Sequence, residues 1–411
     1  MNSPPVFGQI PPTDMRVPRA SRVEWWGAEV KRILCVRLDN LGDVLMTTPA
    51  IHALRQSGKD RHITLLGSRS GAALAPFLDD VDDVIEYDAP WVANAKASTP
   101  LADLRMRAHL KRGHFDAAVI FTVYSQNPLP AAMMCYFAGI PRRLAHCREN
   151  PYQLLTDWVR ETEPQHRTRH EVQRQLDLVQ QVGAHADDTA MRFAIADADR
   201  QTLGAQLDAR GIDRAASYIV IHPGATASSR RYPAERFGEV ATQLVRAAGT
   251  PILITGNTSE RSLAQQLIQA ADPTVRNHLH DLSGTLTLGE LAALIDRTTV
   301  LVANNSGPAH LASALGTPVV DLYALTNPQH TPWQTLHRVL FHDVDCRWCY
   351  RSECPQQHHA CLRGVLPDEV VQAALELRSE PRAARAVCEP CVVTWAEPRA
   401  TSDSSSEPIP T

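Results

Sequence analysis

The sequence has no excess of positive charge: its 411 residues carry 41 Lys and Arg against 45 Asp and Glu, a net charge of -4. A nucleic-acid partner is recognised through a basic face, so polymer binding by charge alone is excluded. Long hydrophobic runs are also missing. A bilayer span takes roughly 18 to 20 apolar residues, and the nearest approach is the short stretch from Ala131 to Ile140. The first thirty residues hold Pro4, Pro5, Pro11, Pro12 and Pro18 without the apolar region of a secretory signal. No strand-like run is followed by Gly-x-Gly-x-x-Gly, which argues against a Rossmann dehydrogenase. A soluble, cytoplasmic chain is therefore expected, and there nine cysteines are poor evidence for disulfides, because the cytosol keeps thiols reduced.

What is present is the patterning of an α/β protein too long for one ordinary domain. Short runs rich in Val, Ile and Leu at 33–37, 63–67, 84–87 and 117–122 alternate with amphipathic stretches, as buried parallel strands and their crossover helices do. The alternation restarts after a polar stretch from about Ala196 to Ala216, with strands at 218–222, 252–255, 300–303 and 319–323. Two open α/β domains follow. Pro233 is placed to open a helix that Gly249 closes, and Ser306 and Gly316 stand at the cap positions of another. The tail from about Glu397 is rich in Ser and Pro and reads as disordered.

In open α/β sheets the ligand lies outside the carboxyl ends of the strands, and three such ends carry chemistry. The first runs from Arg37 to Pro49 and brings Asp43 to the start of a helix, either as a charge that complements the helix dipole or as a general base facing a cleft. The second, His222 to Pro233, is a small-residue loop ending in Arg230 and Arg231. Its backbone N–H groups, hydroxyls and guanidinium suit a diphosphate; otherwise it is a solvated loop. The third, Val302 to His310, delivers a helix whose N-terminus is an anion site. A lone histidine there is more often structural, but beside the arginine loop His310 becomes a candidate phosphate contact.

Together the segments 33–54, 222–237 and 304–312 resemble glycosyltransferase family 9, the ADP-heptose:lipopolysaccharide heptosyltransferases. The resemblance extends, with gaps, from about Arg32 to about Leu377, and His170 with Leu176, Leu178 and Gly183 resembles the family's helix near the domain connection. It implies a GT-B fold, two Rossmann-like domains facing an interdomain cleft. The implied division is a flexible leader at 1–30, an acceptor-binding domain at 31–196, a nucleotide-sugar-binding domain at 216–340, a Cys-rich segment with a C-terminal helix at 341–380 and a disordered tail at 381–411. The implied reaction is inverting transfer of a heptose or related sugar from an ADP-sugar donor to a lipopolysaccharide core or other surface glycan, without a catalytic metal. Asp43 is then the base, and Arg230 stands where the family carries a phosphate-binding lysine. Thr226, Ser306, Gly307 and His310 become diphosphate contacts, and Glu260 matches the residue that contacts the nucleoside. Asn305 occupies a place where many relatives carry Asp, which removes a charge beside the donor. The alternatives are a nucleotide-sugar epimerase or hydrolase on the same fold, a non-catalytic nucleotide-sugar-binding protein, or a protein acceptor.

Two features stand outside these motifs. The stretch 142–170 is rich in Arg and His, with Glu149, Asp157, Glu161 and Glu163 interspersed; it reads as a partly helical solvated surface, or as an attractor of an anionic acceptor that would bring the enzyme to a membrane surface. Cys346, Cys349, Cys354 and Cys361 read C-x2-C-x4-C-x6-C, a spacing suited to structural zinc or iron or to a loop of reduced thiols. Cys388 and Cys391 form a further C-x2-C pair, and Cys35, Cys135 and Cys147 read as isolated core or loop residues.

Overall fold

A computed structural model describes residues 25–92 and 99–380. The leader up to residue 24, the segment 93–98, and the tail with the Cys388/Cys391 pair lie outside the described residues. Two six-stranded sheets form, and every pairing in them is parallel. The first contains β1 (Arg32–Arg37), β2 (His62–Gly67), β3 (Asp83–Glu86), β4 (Ala117–Ile120), β5 (Arg142–Cys147) and β6 (Asp157–Arg160), in the order β3-β2-β1-β4-β5-β6. The second contains β7 (Ile219–His222), β8 (Ile252–Ile254), β9 (Leu279–Asp281), β10 (Leu301–Asn304), β11 (Val319–Leu322) and β12 (His337–Leu340), in the order β12-β11-β10-β7-β8-β9. In each sheet the strand order reverses beside the first strand, at β1/β4 and at β7/β10. Those switch points open the crevices where α/β proteins bind ligands. The expected class, α/β with two Rossmann-like lobes, is the one observed.

Helix ends follow the local chemistry. Pro233 precedes the helix Ala234–Ala248, which ends at Gly249 with φ 60°, and Gly316 ends the helix Gly307–Leu315 with φ 68°. Both glycines hold the left-handed conformation that other residues adopt at a cost. His170 caps the helix Glu171–Gln180, its ring accepting from the Val172 N–H. The polar stretch between the lobes is not a coil linker: it contains the helix Asp197–Ala209, whose Leu203 and Leu207 are buried in the same cluster as Ala292 and Ile295 of the second lobe.

The stretch 142–170 corrects the sequence expectation. It forms β5 and β6 rather than a helix, and Arg143, His146, Glu161 and Glu163 are buried. Leu144, Ala145 and Cys147 are apolar enough to seat β5 next to β4, while Arg143 is absorbed by the carbonyls of Leu154 and Gln153. Arg148, Arg160, His166 and Arg167 alone of its basic residues are fully exposed.

The lobes meet over a shared apolar cluster. Val44, Leu45 and Met46, from the helix Leu41–Gln56 that follows β1, pack in one cluster with Ala309, Leu311 and Ala312 of the second lobe and with Trp333. Polar ties frame it: the Glu171 N–H donates to the Gln329 carbonyl at 3.0 Å, His170 Nε2 reaches the Thr331 carbonyl at 2.8 Å, and Trp333 Nε1 donates to the Thr189 carbonyl at 2.9 Å. Among the described residues no helix is long and apolar enough to cross a membrane.

Candidate active site

The cleft between the lobes is floored by the carboxyl ends of β1, β7, β10 and β11. From the first lobe, β1 ends in Arg37 and hands the chain to Asp39, Asn40 and Asp43. Asp43 lies in the first turn of its helix, and its Oδ2 accepts the Asn40 N–H at 3.1 Å. Its carboxyl is pushed up to about 6 by burial and by the neighbouring Asp39 carboxylate, against the pull of Arg37; Glu171 pushes it further up, and Arg230 from the second lobe pulls it down. A carboxylate so tuned is still mostly ionised at neutral pH yet more basic than an ordinary one, which is what a general base requires.

From the second lobe comes the loop after β7. Its fastening is Asn304, wholly buried at the end of β10: the side chain donates to the Pro223 carbonyl at 2.8 Å and accepts the Tyr232 N–H at 2.8 Å, clamping both ends of the loop. Arg231 braces it from within through the Ala225 carbonyl. Among the described residues the guanidinium of Arg230 has no hydrogen-bond or ion-pair partner, so its five donors are available. Its charge acts on Asp43, His310, Asp321 and His330, which places all of these around one space. Thr226 is exposed on the same loop.

His310 lies one turn into the helix Gly307–Leu315 and is buried. Burial, with His170 and then the charge of Arg230 nearby, holds its pKa down to about 3, so the ring is neutral. Among the described residues its Nδ1 has no hydrogen-bond partner. The lobes touch here: a Cβ on Gly42 would sit 2.7 Å from His310 Cδ2, so only glycine lets the two helices approach this closely. Ser306 does not cap its helix through the side chain; its Oγ donates back to the Asn304 carbonyl. The first N–H groups of that helix are thus left without a side-chain oxygen, as an anion site requires.

Two expected donor residues lie below the surface of the site. Glu260 is buried beneath the β7 loop, where Oε2 accepts the Asn257 N–H at 2.8 Å and stands 3.9 Å from His222 Nε2. Asn305 is buried as well, and its amide nitrogen is spent on Asp321 Oδ2 at 2.9 Å and the His330 carbonyl at 2.7 Å. A carboxylate is therefore still near this position, one strand over: Asp321 is pushed up to about 7 by burial, partly offset by the Asn305 hydrogen bond and Arg230. Asp321 Oδ1 and His330 Nε2 are buried and have no hydrogen-bond partner among the described residues. Arg37 and Asn304 lie inside the motifs but carried no role there, and Asp321, His330 and Glu171 lie outside them; Asp321, a carboxylate inside the apolar run 319–323, was the one visible signal.

A cavity of about 1050 Å³ opens on the first lobe beside these groups, lined by Asp39, Asn40, Arg69, Trp91 and Gln126, with Ser352 contributed from the Cys-rich strap. The strap crosses the cleft. The Ser229 hydroxyl donates to the Arg351 carbonyl at 2.7 Å, and Tyr350 pairs with Tyr124 of the first lobe through their hydroxyls. Its four cysteines are half-buried free thiols. They do not form the closed ligand sphere expected of them: Cys346 Sγ has His358 Nε2 at 3.7 Å, and among the described residues no group of three or more His, Cys, Asp or Glu side chains is arranged to hold a metal. Cys361 sits on the short helix Ala360–Arg363 against the second-lobe core, where the Cys354, Cys346 and Cys349 thiols lie near enough to raise its pKa further, after burial. Cys35, Cys135 and Cys147 are buried singly.

Two Rossmann-like lobes, a basic loop and a helix N-terminus on one side, and a carboxylate beside a large cavity on the other define a nucleotide-sugar glycosyltransferase of the GT-B kind. The sequence profile described as glycosyltransferase family 9 (heptosyltransferase) matches residues 104–360, and the chain belongs to that family. It is 22% identical over 344 residues to lipooligosaccharide heptosyltransferase 2 of Campylobacter jejuni, covering 82% of this chain and 95% of the relative. Lipopolysaccharide heptosyltransferase 2 of Salmonella typhimurium is 22% identical over 369 residues, 85% of this chain and 99% of the relative. Among solved structures, a glycosyl transferase family 9 protein from Veillonella parvula superposes with a TM-score of 0.72 at 21% identity, over 86% of this chain and 99% of that one. The E. coli ADP-heptose lps heptosyltransferase II follows at 0.67 and 20%, over 84% and 98%.

The site yields a stability prediction at Gly224. A Cβ there would fall 2.2 Å from Glu260 Oε1, a buried carboxylate with little room to retreat. Gly224→Ala is expected to destabilise the protein by about 1–3 kcal/mol, read as a lower denaturation midpoint; an unchanged midpoint would show that Glu260 is free to move.

Proposed function

We propose that this enzyme transfers a heptose from ADP-heptose to a hydroxyl of a lipopolysaccharide core glycan, on the cytoplasmic side of the membrane, by a single inverting displacement. The observation that carries the mechanism is the meeting of Asp43 and the unpaired Arg230 across one cleft. The relatives' names supply the substrate class: heptosyltransferases acting on lipopolysaccharide or lipooligosaccharide, with one structural neighbour holding an ADP-heptose analogue, E. coli WaaC with ADP-2-deoxy-2-fluoro heptose. The first-lobe cavity would take the acceptor and the second lobe the donor.

In this reading the acceptor hydroxyl passes its proton to the Asp43 carboxylate as its oxygen attacks the anomeric carbon. The bond from that carbon to the diphosphate breaks, and the pair of electrons leaves with ADP. Arg230, the N–H groups opening the helix Gly307–Leu315 and the neutral ring of His310 would meet the charge that develops on the leaving oxygens. Preorganised donors of this sort act strongly in a site that excludes water. Thr226, Ser306 and Gly307 would line the diphosphate. Glu260 would act from beneath the loop toward the nucleoside, and Asn305 through Asp321 and His330 rather than by direct contact.

Asp43→Asn should keep donor affinity within about three-fold and lower turnover at least about a hundredfold, because an amide cannot take the proton. In the wild type, turnover should fall as the pH drops through about 6, where Asp43 protonates. Near-normal turnover of the variant, or an acid limb unrelated to residue 43, removes Asp43 from the base role.

Arg230→Ala should weaken both ADP-heptose and ADP by roughly ten- to a hundredfold, the loss of a charge-assisted contact of about 1.5–3 kcal/mol. Calorimetric titration with each nucleotide measures this, and equal affinities in wild type and variant would turn the loop away from the diphosphate.

For the strap we infer a narrower role: Cys346, Cys349, Cys354 and Cys361 are soft donors in one short segment, a set suited to zinc or iron held structurally once the thiols turn inward. Protein purified without added metal is expected to contain about one zinc or iron per chain, and Cys349→Ser to lower both metal content and thermal stability. Metal-free protein that is folded and active refutes it.

A further inference from the structure

Arg37 closes β1 with its side chain wholly shielded from solvent, and three carboxylates divide its guanidinium. Nε stands 2.9 Å from Asp39, NH2 3.3 Å from Asp43, and NH1 2.8 Å from Glu171. Only the last contact joins two fully buried groups. Glu171 is the first residue of the helix Glu171–Gln180, and the Oε1 that receives Arg37 also accepts Gln175 Nε2 at 2.6 Å. Its own N–H is given to the Gln329 carbonyl of the second lobe. The neighbouring His170 holds the Thr331 carbonyl. One residue is thereby fixed to Arg37 through its side chain and to the second lobe through its backbone.

A guanidinium is a rigid fork, and its strongest arrangement with a carboxylate is bidentate. Such a pair on Asp43 would hold that carboxylate ionised and make it a poor acceptor of a proton. With NH1 hydrogen-bonded to Glu171 and Nε in ion-pair contact with Asp39, Arg37 meets Asp43 with one long contact only.

We propose that Glu171 is a positioning residue for the transfer step: it draws Arg37 off Asp43, so that Asp43 stays a competent base, and it ties this arrangement to the seating of the two lobes. The proposal rests on the reading of Asp43 as the base. The charged groups facing Asp43 are Arg37 on β1, Asp39 in the following loop, Glu171 on its helix and Arg230 from the second lobe, with the uncharged His310 against Gly42. Of these, Asp39 and Glu171 raise the basicity of Asp43 while Arg37 and Arg230 lower it. The other buried cation of the Glu171 helix, Arg174, is occupied by Glu161 and Glu163.

The test is the pH profile of kcat/KM for Glu171→Gln, which is nearly isosteric and removes one negative charge. The acid limb should move at least about half a unit to lower pH, and plateau turnover should fall about ten-fold, with ADP affinity within about two-fold of wild type. Glu171→Asp keeps the charge but shortens the reach to Arg37, which frees NH1 toward Asp43, so its acid limb should move to lower pH by less than in Glu171→Gln while turnover falls several-fold. That variant carries the test if Glu171→Gln does not fold. A folded Glu171→Gln with an unshifted acid limb refutes the proposal, as does a Glu171→Asp with wild-type turnover. Asp43→Asn separates the two ideas: if it is inactive while the Glu171→Gln limb is unmoved, this inference alone fails, whereas an active Asp43→Asn removes the base itself.

Discussion

A guanidinium sealed from water at the end of a central strand is costly unless charge is brought to it. An uncompensated buried ion loses several kcal/mol of hydration, and removing one partner of a buried pair typically costs about 3–5 kcal/mol. Arg37 therefore obliges the chain to gather Asp39, Asp43 and Glu171 around it. Three carboxylates on one arginine over-compensate, and the excess negative charge adds to burial, the larger cause, in lifting Asp43 toward neutral pH. The arrangement also leaves the first lobe short of positive charge at the point where Arg230 enters from the second lobe. A diphosphate bound to Arg230 would take up that charge, so donor binding and the basicity of Asp43 are linked through a common cation.

The same constraint explains why the lobes are joined where they are. The helix bearing Glu171 packs against the helix that bears Asp43, and its capping residue and first N–H are satisfied by carbonyls of the second lobe. Nearby, Gly42 admits His310 at a distance no side chain would allow. Apolar residues of both lobes then close into one cluster around these polar ties. Chemistry and interface thus share residues, and a shift of one lobe on the other must disturb the groups around Asp43. The strap adds a second bridge, bonded to the Arg230 loop at Ser229 and to the first lobe at Tyr124.

Much of this architecture was legible in sequence because parallel strands buried on both faces are short apolar runs, and helix ends follow Pro and Gly. The runs at 33–37, 63–67, 218–222 and 300–303 fall on β1, β2, β7 and β10. The edge strands β6, β9 and β12, and β5 beside β6, were harder, since polar residues such as Arg142, Arg143 and Asp157 interrupt the apolar run. The loop carrying Arg230 and the helix carrying His310 could be read locally, as composition at a strand end. Arg37 could not be given its role that way: it was visible in the motif, but its deciding partner Glu171 lies 134 residues away, and no local rule connects the two. The strap was legible only as a spacing, because ligand spacing says which thiols are close along the chain, not how they are turned in space.

Asn305 shows how a single position misreads when its neighbour in space is unknown. Taken alone, the amide suggests a site that has lost a charge. In the fold it stands 2.9 Å from Asp321 on the adjacent strand, both of them buried. A carboxylate at 305 would face that of Asp321 at hydrogen-bonding distance, where two buried like charges cannot both stay ionised and one must hold a proton. The amide avoids the conflict by donating to Asp321 and, with the same nitrogen, to the His330 carbonyl. Positions 305 and 321 therefore form one electrostatic unit with one titratable charge, and Arg230 acts on that charge from above. Among the described residues Asp321 Oδ1 and His330 Nε2 have no hydrogen-bond partner, beneath the charge of Arg230, and buried groups of that kind are costly to keep without a role.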